Sequence, residues 1–268
     1  MMLESLFGAS TTAAVIAITL VAGLTHGTIG LGFPLISTPL VALLIDVKTA
    51  VLLTVVPNIA VNLISILRGG NWRASIGRHW PVAVCVVAGT WIGSRLLIAA
   101  PAAPLQLLLA AMILVYLQQH RLERLDWSWI ARAPLAAGAG FGLVGGILSG
   151  AVNVAAPPLI IYFMTLQLDP IAMTQVLNLC FLAGKSTQAA SLGLSQAGSA
   201  QVLAASLPLT GIAVVAVLLG MRVQSNLLPA TYRKVLRGTL WVMAFFLIAQ
   251  VLARTFGDVS PQRITWRA

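Results

Sequence analysis

The sequence predicts an all-α polytopic membrane protein with two inverted repeats of about five helical segments each, and a broken helix pair in each repeat. Of its 268 residues, 59% are hydrophobic and only 8% are charged, whereas soluble domains have about 25% charged residues. Apolar segments follow one another along the whole chain, and two short segments follow matching helix-breaking clusters. These observations exclude a soluble fold and make lipid the solvent for most of the surface.

Basic residues outnumber acidic ones, with 16 Lys and Arg against 6 Asp and Glu and a formal net charge of +10. A polytopic membrane protein collects Lys and Arg in its cytoplasmic loops, so this excess does not indicate nucleic-acid binding. Cys85 and Cys180 lie inside apolar runs without a CxxC pattern, which is typical of small core residues. The first five residues lack the basic region of a signal peptide, so we expect the first apolar run to be a structural span.

The chain contains ten apolar segments bounded by charged residues, Gly or Pro. They cover about residues 11–28, 34–45, 49–67, 80–99, 104–118, 134–150, 157–168, 170–192, 199–220 and 236–253. At about 1.5 Å per residue, the second and seventh segments reach only about 18 Å, against a hydrocarbon core of about 30 Å. Each of these two helices is therefore predicted to start or stop inside the membrane.

The two short segments follow similar clusters of helix-breaking residues. Residues 27–34 read GTIGLGFP and residues 150–158 read GAVNVAAPP, and each cluster leads into Pro-Leu-Ile. The correspondence continues at Asp46 and Asp169, and at Gly93 and Gly220. The sequence therefore predicts an internal repeat of five segments, over residues 1–120 and 121–268.

An odd number of segments places the two halves in opposite orientations if every segment crosses the membrane. The connection 68–79 carries three arginines, whereas its counterpart 193–198 has no Lys or Arg. The pattern reverses farther on, because 100–103 has none and 221–235 has three basic residues. Under the positive-inside rule, this alternation predicts inverted repeats. The alternative is four crossings per half, with each broken pair forming a re-entrant element.

A helix broken at membrane depth is tolerated only where protein or a water-filled cavity receives its unpaired backbone groups. The short helices begin near Pro34 and Pro158, and Pro suits the first turn of a helix. Each helix start is expected to present free N–H groups and about half a positive charge. Inverted symmetry brings both starts, with Gly32 and Asn153 beside them, to one midplane site that prefers an anion. Alternatively, Gly and Pro only allow close helix packing.

Lys185 lies near the middle of segment 170–192, with Asn178 and Gln188 nearby. A charged side chain at that depth costs at least about 2.5 to 3.5 kcal/mol and normally faces a cavity and a partner. All six acidic residues lie at segment ends, in loops or in tails. We therefore expect the transported anion to be the counter-ion of Lys185. The alternative is that the lysine snorkels to an interface.

Three further polar residues belong to the predicted substrate site. Asn58 and Asn62 are one turn apart on the same helix face, so both can donate amide N–H groups to one oxyanion. The alternative role of such amides is hydrogen bonding between neighbouring helices. His26 precedes the first break and is either a proton-sensitive gate or a buried packing residue.

Motifs that indicate catalysis are missing from the sequence. The chain has no GxxxxGK(S/T), HExxH or GxSxG motif and no cluster of His and Cys. ATP hydrolysis, metal chemistry and nucleophilic catalysis are therefore not predicted. We expect neither an enzyme nor a bound cofactor or metal.

Three groups of residues carry a resemblance to a known family. They are residues 26–35, residues 145–150 continuing to 157–160, and the Gly-x-Arg elements at Gly93 and Gly220. Over about residues 14–253, the chain resembles the TauE/SafE sulfite exporter family, a group of small permeases made of two related halves. The resemblance implies export or uptake of sulfite, sulfonates or related small organic anions by a multipass protein of the cell membrane.

The sequence therefore predicts a secondary transporter that carries a small anion by alternating access at a midplane site. The resemblance implies that this anion is sulfite, a sulfonate or a related organosulfur anion. The alternatives are an anion channel, a carrier of a small carboxylate or other metabolite, and a membrane subunit whose energising or catalytic partner is another chain. The predicted partners are the anion and the lipid bilayer, without nucleic acid. The GxxxG at Gly89 and Gly93 can pack helices within one chain or in a homodimer.

Overall fold

The computed structural model describes residues 2–68, 72–122, 125–194 and 200–223, together with the single positions 241, 245, 248 and 249. Within these residues the protein is all-α, and no strand is present. The helices are α1 Met2–Phe7, α2 Ala9–Ile29, α3 Phe33–Leu44, α4 Val47–Leu67, α5 Trp72–Ala99, α6 Ala102–Leu117, α7 Gln119–Leu122, α8 Ser128–Arg132, α9 Pro134–Val152, α10 Ala156–Thr165, α11 Pro170–Leu194 and α12 Ala200–Val223. The predicted all-α fold is confirmed.

Five of the described helices are long and apolar enough to cross a membrane, as a polytopic protein requires. They are α2, α4, α9 and the apolar parts of α5 and α12, Ser75–Ala99 and Ala200–Arg222. Helix α5 begins eight residues before the predicted segment 80–99, because polar turns carrying Arg73 and Arg78 continue the helix beyond its apolar part. The predicted segment 236–253 and most of the connections 193–198 and 221–235 lie outside the described residues.

Helices α4 and α11 begin with the same hydrogen-bonded cap. The backbone N–H groups of Lys48 and Thr49 donate to Asp46 Oδ1 at 2.9 and 3.0 Å. At the start of α11, the N–H groups two and three residues after Asp169 donate to its Oδ1, both at 3.0 Å. An aspartate cap satisfies N–H groups that have no partner within the helix. The cap therefore gives α4 and α11 a common reference point for comparing their side chains.

The two closest helix crossings each join one helix from either half of the chain. Helix α2 packs on α12, and α9 packs on α5. A Cβ atom on Gly27 of α2 would lie 2.2 Å from the carbonyl oxygen of Val217, and one on Gly146 of α9 would lie 2.3 Å from that of Val86. Small residues allow this backbone approach, which gives membrane helices their close packing. At both crossings, a helix from the first half of the sequence therefore packs closely against the backbone of a helix from the second half.

The GxxxG pair in α5 takes part in one of these crossings. A Cβ atom on Gly89 would lie 2.1 Å from the carbonyl oxygen of Leu143, and one on Gly93 would lie 2.1 Å from that of Ile147. Gly89 and Gly93 thus pack α5 against α9 within the same chain. Contacts advance in the same direction along both helices, so α5 and α9 run parallel. The boundary near residue 120, the opposite orientation of the halves and a homodimer stay predictions.

The two helix breaks contain residues with left-handed backbone conformation. Between α2 and α3, Gly30 and Gly32 have φ angles of 85° and 114°. Between α9 and α10, Asn153 has a φ angle of 63°. Gly and Asn are the residues that adopt this region at lowest cost. The chain can therefore reverse inside the fold and start the short helices α3 and α10.

Candidate anion site at the helix breaks

The Lys185 ammonium group is buried and is held by neutral oxygen atoms. The side chain is 2% exposed. Its Nζ donates to the backbone carbonyl of Ser149 at 2.9 Å, to Gln188 Oε1 at 2.7 Å and to Asn153 Oδ1. Among the residues described, no carboxylate accepts a hydrogen bond from this group. The three acceptors satisfy the three N–H donors of the lysine but leave its charge without a counter-ion.

Asn153 connects Lys185 to the first half of the protein. Its Nδ2 donates to Thr38 Oγ1 in α3 and to Thr54 Oγ1 in α4, both at 3.0 Å. Because lysine only donates, its contact fixes the carbonyl side of the Asn153 amide towards Nζ. One side chain at the second break therefore contacts three helices, of which two belong to the first half.

A small cavity lies between the two breaks. Its volume is about 30 Å³, measured as the space open to the centres of water molecules. It is lined by Leu31, Gly32, Pro34, Leu35, Tyr116, Ser149, Asn153, Val154, Ala155, Ala156, Ile160, Phe181 and Lys185. Gly32, Pro34, Asn153 and Lys185 were predicted from the sequence, and the structure brings them together. The lysine therefore faces both helix breaks and does not snorkel to an interface.

Hydrogen bonds from both halves of the sequence hold the first break, and one of them comes from a cation, because Arg68 Nη1 donates to the Gly27 carbonyl at 2.8 Å. His26 Nδ1 accepts the N–H of Phe33 at 3.3 Å, and His26 Nε2 lies 2.9 Å from Ser65 Oγ. Since Nδ1 is the acceptor, the proton of the neutral ring is on Nε2, which donates to Ser65. From the other half, Asn178 Nδ2 donates to the carbonyl of Gly30 at 2.8 Å. His26 and Asn178 therefore support the break from outside the cavity.

The helix starts offer fewer N–H donors than the sequence led us to expect. The N–H of Phe33 is used by His26, and the N–H of Ile36 donates to the Gly32 carbonyl at 3.1 Å. Proline has no N–H, so Pro34, Pro157 and Pro158 contribute none. The positive ends of the helix dipoles remain. Lys185, rather than a row of free N–H groups, is therefore the main source of positive potential in the cavity.

Asn58 and Asn62 lie outside the residues that line the cavity. Both are fully buried, and Asn62 Nδ2 donates to Asn58 Oδ1 at 3.0 Å. Amides one turn apart on the same face can reach each other, so this pair bonds internally. Pro158 and Gln188 also do not line the cavity, but Gln188 accepts a hydrogen bond from Lys185, which does line it. The structure therefore divides the predicted residues into a cavity group and a supporting group.

Comparison with known proteins agrees with the resemblance of the motifs. The family profile described as Sulfite exporter TauE/SafE matches residues 15–247. The chain belongs to this family. It is similar to a protein of Cupriavidus necator named probable sulfite/organosulfonate exporter TauE, with 31% identity over 201 residues that cover 72% of this chain and 75% of the relative. No solved structure matches the chain.

Membership of the TauE/SafE family makes the chain a membrane transporter and not an enzyme. Together with five helices that are able to cross a bilayer, it identifies a multipass membrane protein. In the part of the chain that the structure describes, no three His, Cys, Asp or Glu side chains are grouped so that they could hold a metal ion.

Several residues of this TauE/SafE site could not be singled out from the sequence. The apolar cavity residues, such as Leu31, Ile160 and Phe181, are indistinguishable from ordinary core residues in an apolar run. Thr38 is one of two hydroxyl residues in the short helix α3, which is a weak signal of a polar contact. Ser149 contributes its carbonyl oxygen to Lys185. Because any residue has a carbonyl, this role leaves no trace in the residue type.

Proposed function

We propose that the protein is a secondary transporter of a small sulfur oxyanion or sulfonate, which binds in the cavity beside Lys185 and crosses by alternating access. The observation that carries the proposal is the buried ammonium group at a cavity lined by both helix breaks. An uncompensated buried charge costs several kcal/mol. An anion in the cavity would offset this cost, so the binding of an anion is favoured over that of a neutral or cationic molecule.

Binding of the anion requires a change in the hydrogen bonds of Lys185. All three donors of its Nζ are in use, so a bound oxyanion must replace one acceptor. Asn153 is the side-chain acceptor that also lines the cavity. Its replacement would free Asn153 from Lys185 while its contacts with Thr38 and Thr54 remain. Anion binding would in this way break the link that runs from Lys185 through Asn153 to α3 and α4.

Alternating access is supported by the size of the cavity and by the two broken helices beside it. A buried water needs about 10 to 15 Å³ on this measure, so the cavity has room for about two waters. Passage of an oxyanion therefore requires the surrounding helices to move. The broken helices at the cavity are the arrangement that secondary transporters use for such movement. The sulfur chemistry of the substrate comes from the family and from the printed name of the relative.

Transport by purified protein in proteoliposomes tests the proposal. We expect Lys185→Ala to lower saturable sulfite uptake and counterflow by on the order of 100-fold, because a charge-assisted hydrogen bond is worth about 1.5 to 3 kcal/mol. The matched control is Lys48→Ala, since Lys48 donates to the Ile98 carbonyl at 2.9 Å and does not line the cavity. Unchanged uptake by a folded Lys185→Ala protein would contradict the proposal. Flux without saturation or counterflow would indicate a channel.

A further inference from the structure

Two buried hydroxyl groups close to Lys185 have no hydrogen-bond partner among the described residues. They belong to Thr90 in α5 and Ser149 in α9. The side chain of Thr90 is 0% exposed and that of Ser149 is 1% exposed, so bulk water does not reach them. Most buried polar groups in folded proteins have a partner, because an unpaired one is costly. These two hydroxyl groups therefore call for a functional explanation.

Other buried hydroxyl groups of this protein are satisfied within their own helix. Thr19 Oγ1 and Ser37 Oγ each donate to the backbone carbonyl four positions earlier, at 2.8 and 2.7 Å. Ser and Thr side chains commonly make this bond inside helices. The hydroxyl groups of Thr90 and Ser149 do not make it, although both residues lie inside helices. Their protons are therefore available to an acceptor that approaches from outside the helix.

Both hydroxyl groups border the turn of α11 that carries Lys185. A Cβ atom on Gly184 would lie 3.1 Å from Thr90 Oγ1 and 3.1 Å from Ser149 Oγ. Because glycine has no side chain, α11 does not cover the two oxygen atoms at this position. Lys185 is the next residue, and its Nζ donates to the Ser149 carbonyl at 2.9 Å. Two free hydroxyl donors and an ammonium group therefore meet where α5, α9 and α11 pack together.

Ser149 connects this pair of hydroxyl groups to the cavity. Among the described residues with an unpaired buried side-chain oxygen or nitrogen, Ser149 alone lines the cavity. The cavity must enlarge before a sulfonate can enter, because its volume of about 30 Å³ has room for about two waters. Enlargement towards Leu31, Ile160 or Phe181 would surround the anion with hydrocarbon, which is costly. Enlargement towards α5 would instead bring the anion to two hydroxyl donors.

Resting on the proposed function, we propose that Thr90 and Ser149 bind the transported anion through their hydroxyl groups, in the space between Lys185, α5 and α9. A sulfite or sulfonate group carries three oxygen atoms, so it can accept from Nζ and from both hydroxyl groups at once. Hydrogen bonds to a charged acceptor are stronger than those between neutral groups. The ammonium group thus supplies the charge, and the two hydroxyl groups orient the oxyanion.

Calorimetric titration with ethanesulfonate tests the proposal on detergent-purified protein. This probe is a sulfonate that air does not oxidise. Thr90→Val and Ser149→Ala each remove one hydroxyl group with little change of shape, and Ser149→Ala keeps the carbonyl that binds Lys185. We expect each variant to bind ethanesulfonate about tenfold more weakly than the unmodified protein. Thr90→Ser retains the hydroxyl group, and its Kd should stay within about threefold of the original.

The same substitutions at paired hydroxyl groups are the matched controls. Thr19→Val and Ser37→Ala remove hydroxyl groups that donate within their own helices, and neither residue lines the cavity. We expect both controls to change Kd by less than about twofold. Thermal unfolding without ligand separates binding from a structural role. Since the hydroxyl groups of Thr90 and Ser149 have no described partner, their removal should leave the unfolding temperature unchanged or raise it.

The outcomes separate this inference from the proposed function. If Thr90→Val and Ser149→Ala keep their affinity while Lys185→Ala loses it, the hydroxyl pair does not bind the anion, and the proposed function stands. Affinity that falls together with the unfolding temperature, and that Thr90→Ser does not restore, would also overturn the inference. Absence of ethanesulfonate binding, or binding that Lys185→Ala does not weaken, would count against the proposed function itself. Weaker binding at unchanged stability, restored in Thr90→Ser, would establish the hydroxyl pair as part of the site.

Discussion

At the first helix break, His26 accepts the N–H of Phe33 and donates to Ser65, whereas at the second break Asn153 accepts from the ammonium group of Lys185. Both arrangements satisfy buried polar groups. At the first, neutral groups bind the N–H of Phe33 and the imidazole of His26, and the guanidinium of Arg68 donates to the Gly27 carbonyl at 2.8 Å. At the second break, the three hydrogen bonds of Lys185 are satisfied, but no carboxylate among the described residues accepts from its ammonium group. We therefore place the proposed anion site at the second break, beside Lys185.

The helix caps show that the two breaks use equivalent positions. Asn62 lies 16 residues after the cap Asp46, and Lys185 lies 16 residues after the cap Asp169. Ser65 and Gln188 likewise each lie 19 residues after their caps. Ser65 contacts His26, while Gln188 Nε2 donates to the carbonyl of Gly150. The comparison teaches that, at the same spacing from its cap, α11 carries a lysine where α4 carries a neutral asparagine.

The largest expected effect concerns the close packing of the helices and should be equal at the two crossings, α2 on α12 and α9 on α5. Gly27→Ala and Gly146→Ala would each place a Cβ atom against a carbonyl oxygen, at 2.2 and 2.3 Å. We expect each substitution to lower the free energy of unfolding by about 3 kcal/mol. Thermal unfolding in detergent measures the change.

Two glycines on the same helix pairs serve as controls. A Cβ atom on Gly140 in α9 or Gly211 in α12 would meet nothing within 4 Å. Alanine at these positions should be neutral or raise the free energy of unfolding by up to about 1 kcal/mol, because alanine favours helix over glycine. A large loss of stability from only one of the two substitutions would show that the two crossings contribute unequally to the free energy of unfolding.

The second prediction supplies an internal counter-ion at the charged break. Asn153→Asp has nearly the same shape, tolerates the left-handed backbone and places a carboxylate beside Lys185. We expect anion affinity to fall by on the order of 100-fold because the carboxylate replaces the ligand, and the unfolding temperature to rise. Calorimetry and thermal unfolding on one preparation measure both quantities.

The equivalent change in the first half should act differently. Asn62→Asp creates a buried carboxylate at the spacing from the cap that Lys185 has in α11, and the hydrogen-bond partner of Asn62 is the neutral amide of Asn58. The protein should lose stability, since an unpaired buried charge is costly. If Asn62→Asp stabilises the protein, or if Asn153→Asp keeps its anion affinity, the proposed difference between the breaks is wrong.

Much of the fold and part of the site could be predicted from the sequence, for physical reasons. Long apolar runs and Gly-Pro clusters report directly on helices and breaks, and a lysine inside an apolar run must be accommodated by something polar. Asn62 donates to Asn58, a contact that the sequence did not reveal, while the role of both amides in substrate binding stays a prediction. Residue spacing shows that two amides share a face; it does not show which partner they meet. That choice depends on tertiary packing.

A third prediction concerns the competition for Lys185. Gln188→Met keeps the approximate volume and removes a neutral acceptor of the ammonium group. Because a hydrogen bond contributes about 1 kcal/mol net, we expect anion affinity to increase roughly fivefold. Titration with ethanesulfonate measures the change. Gln188→Glu is the opposing variant, since its carboxylate would neutralise the lysine and weaken anion binding. Weaker binding in Gln188→Met would show that Gln188 positions the lysine instead of competing with the anion.

The smallest expected effect is at Ser65, which lies at the same spacing from its helix cap as Gln188 and contacts the first break. Ser65→Ala removes the acceptor of His26 Nε2 and leaves a buried donor, which costs about 1 kcal/mol of stability. Anion affinity should change by less than about twofold, because Ser65 does not line the cavity and carries no charge. Thermal unfolding and ethanesulfonate titration measure the two effects, and Ser65→Thr retains the hydroxyl as a control. If Ser65→Ala altered the anion Kd as much as Gln188→Met, the first break would have to be part of the binding site, and the contrast between the two breaks would be lost.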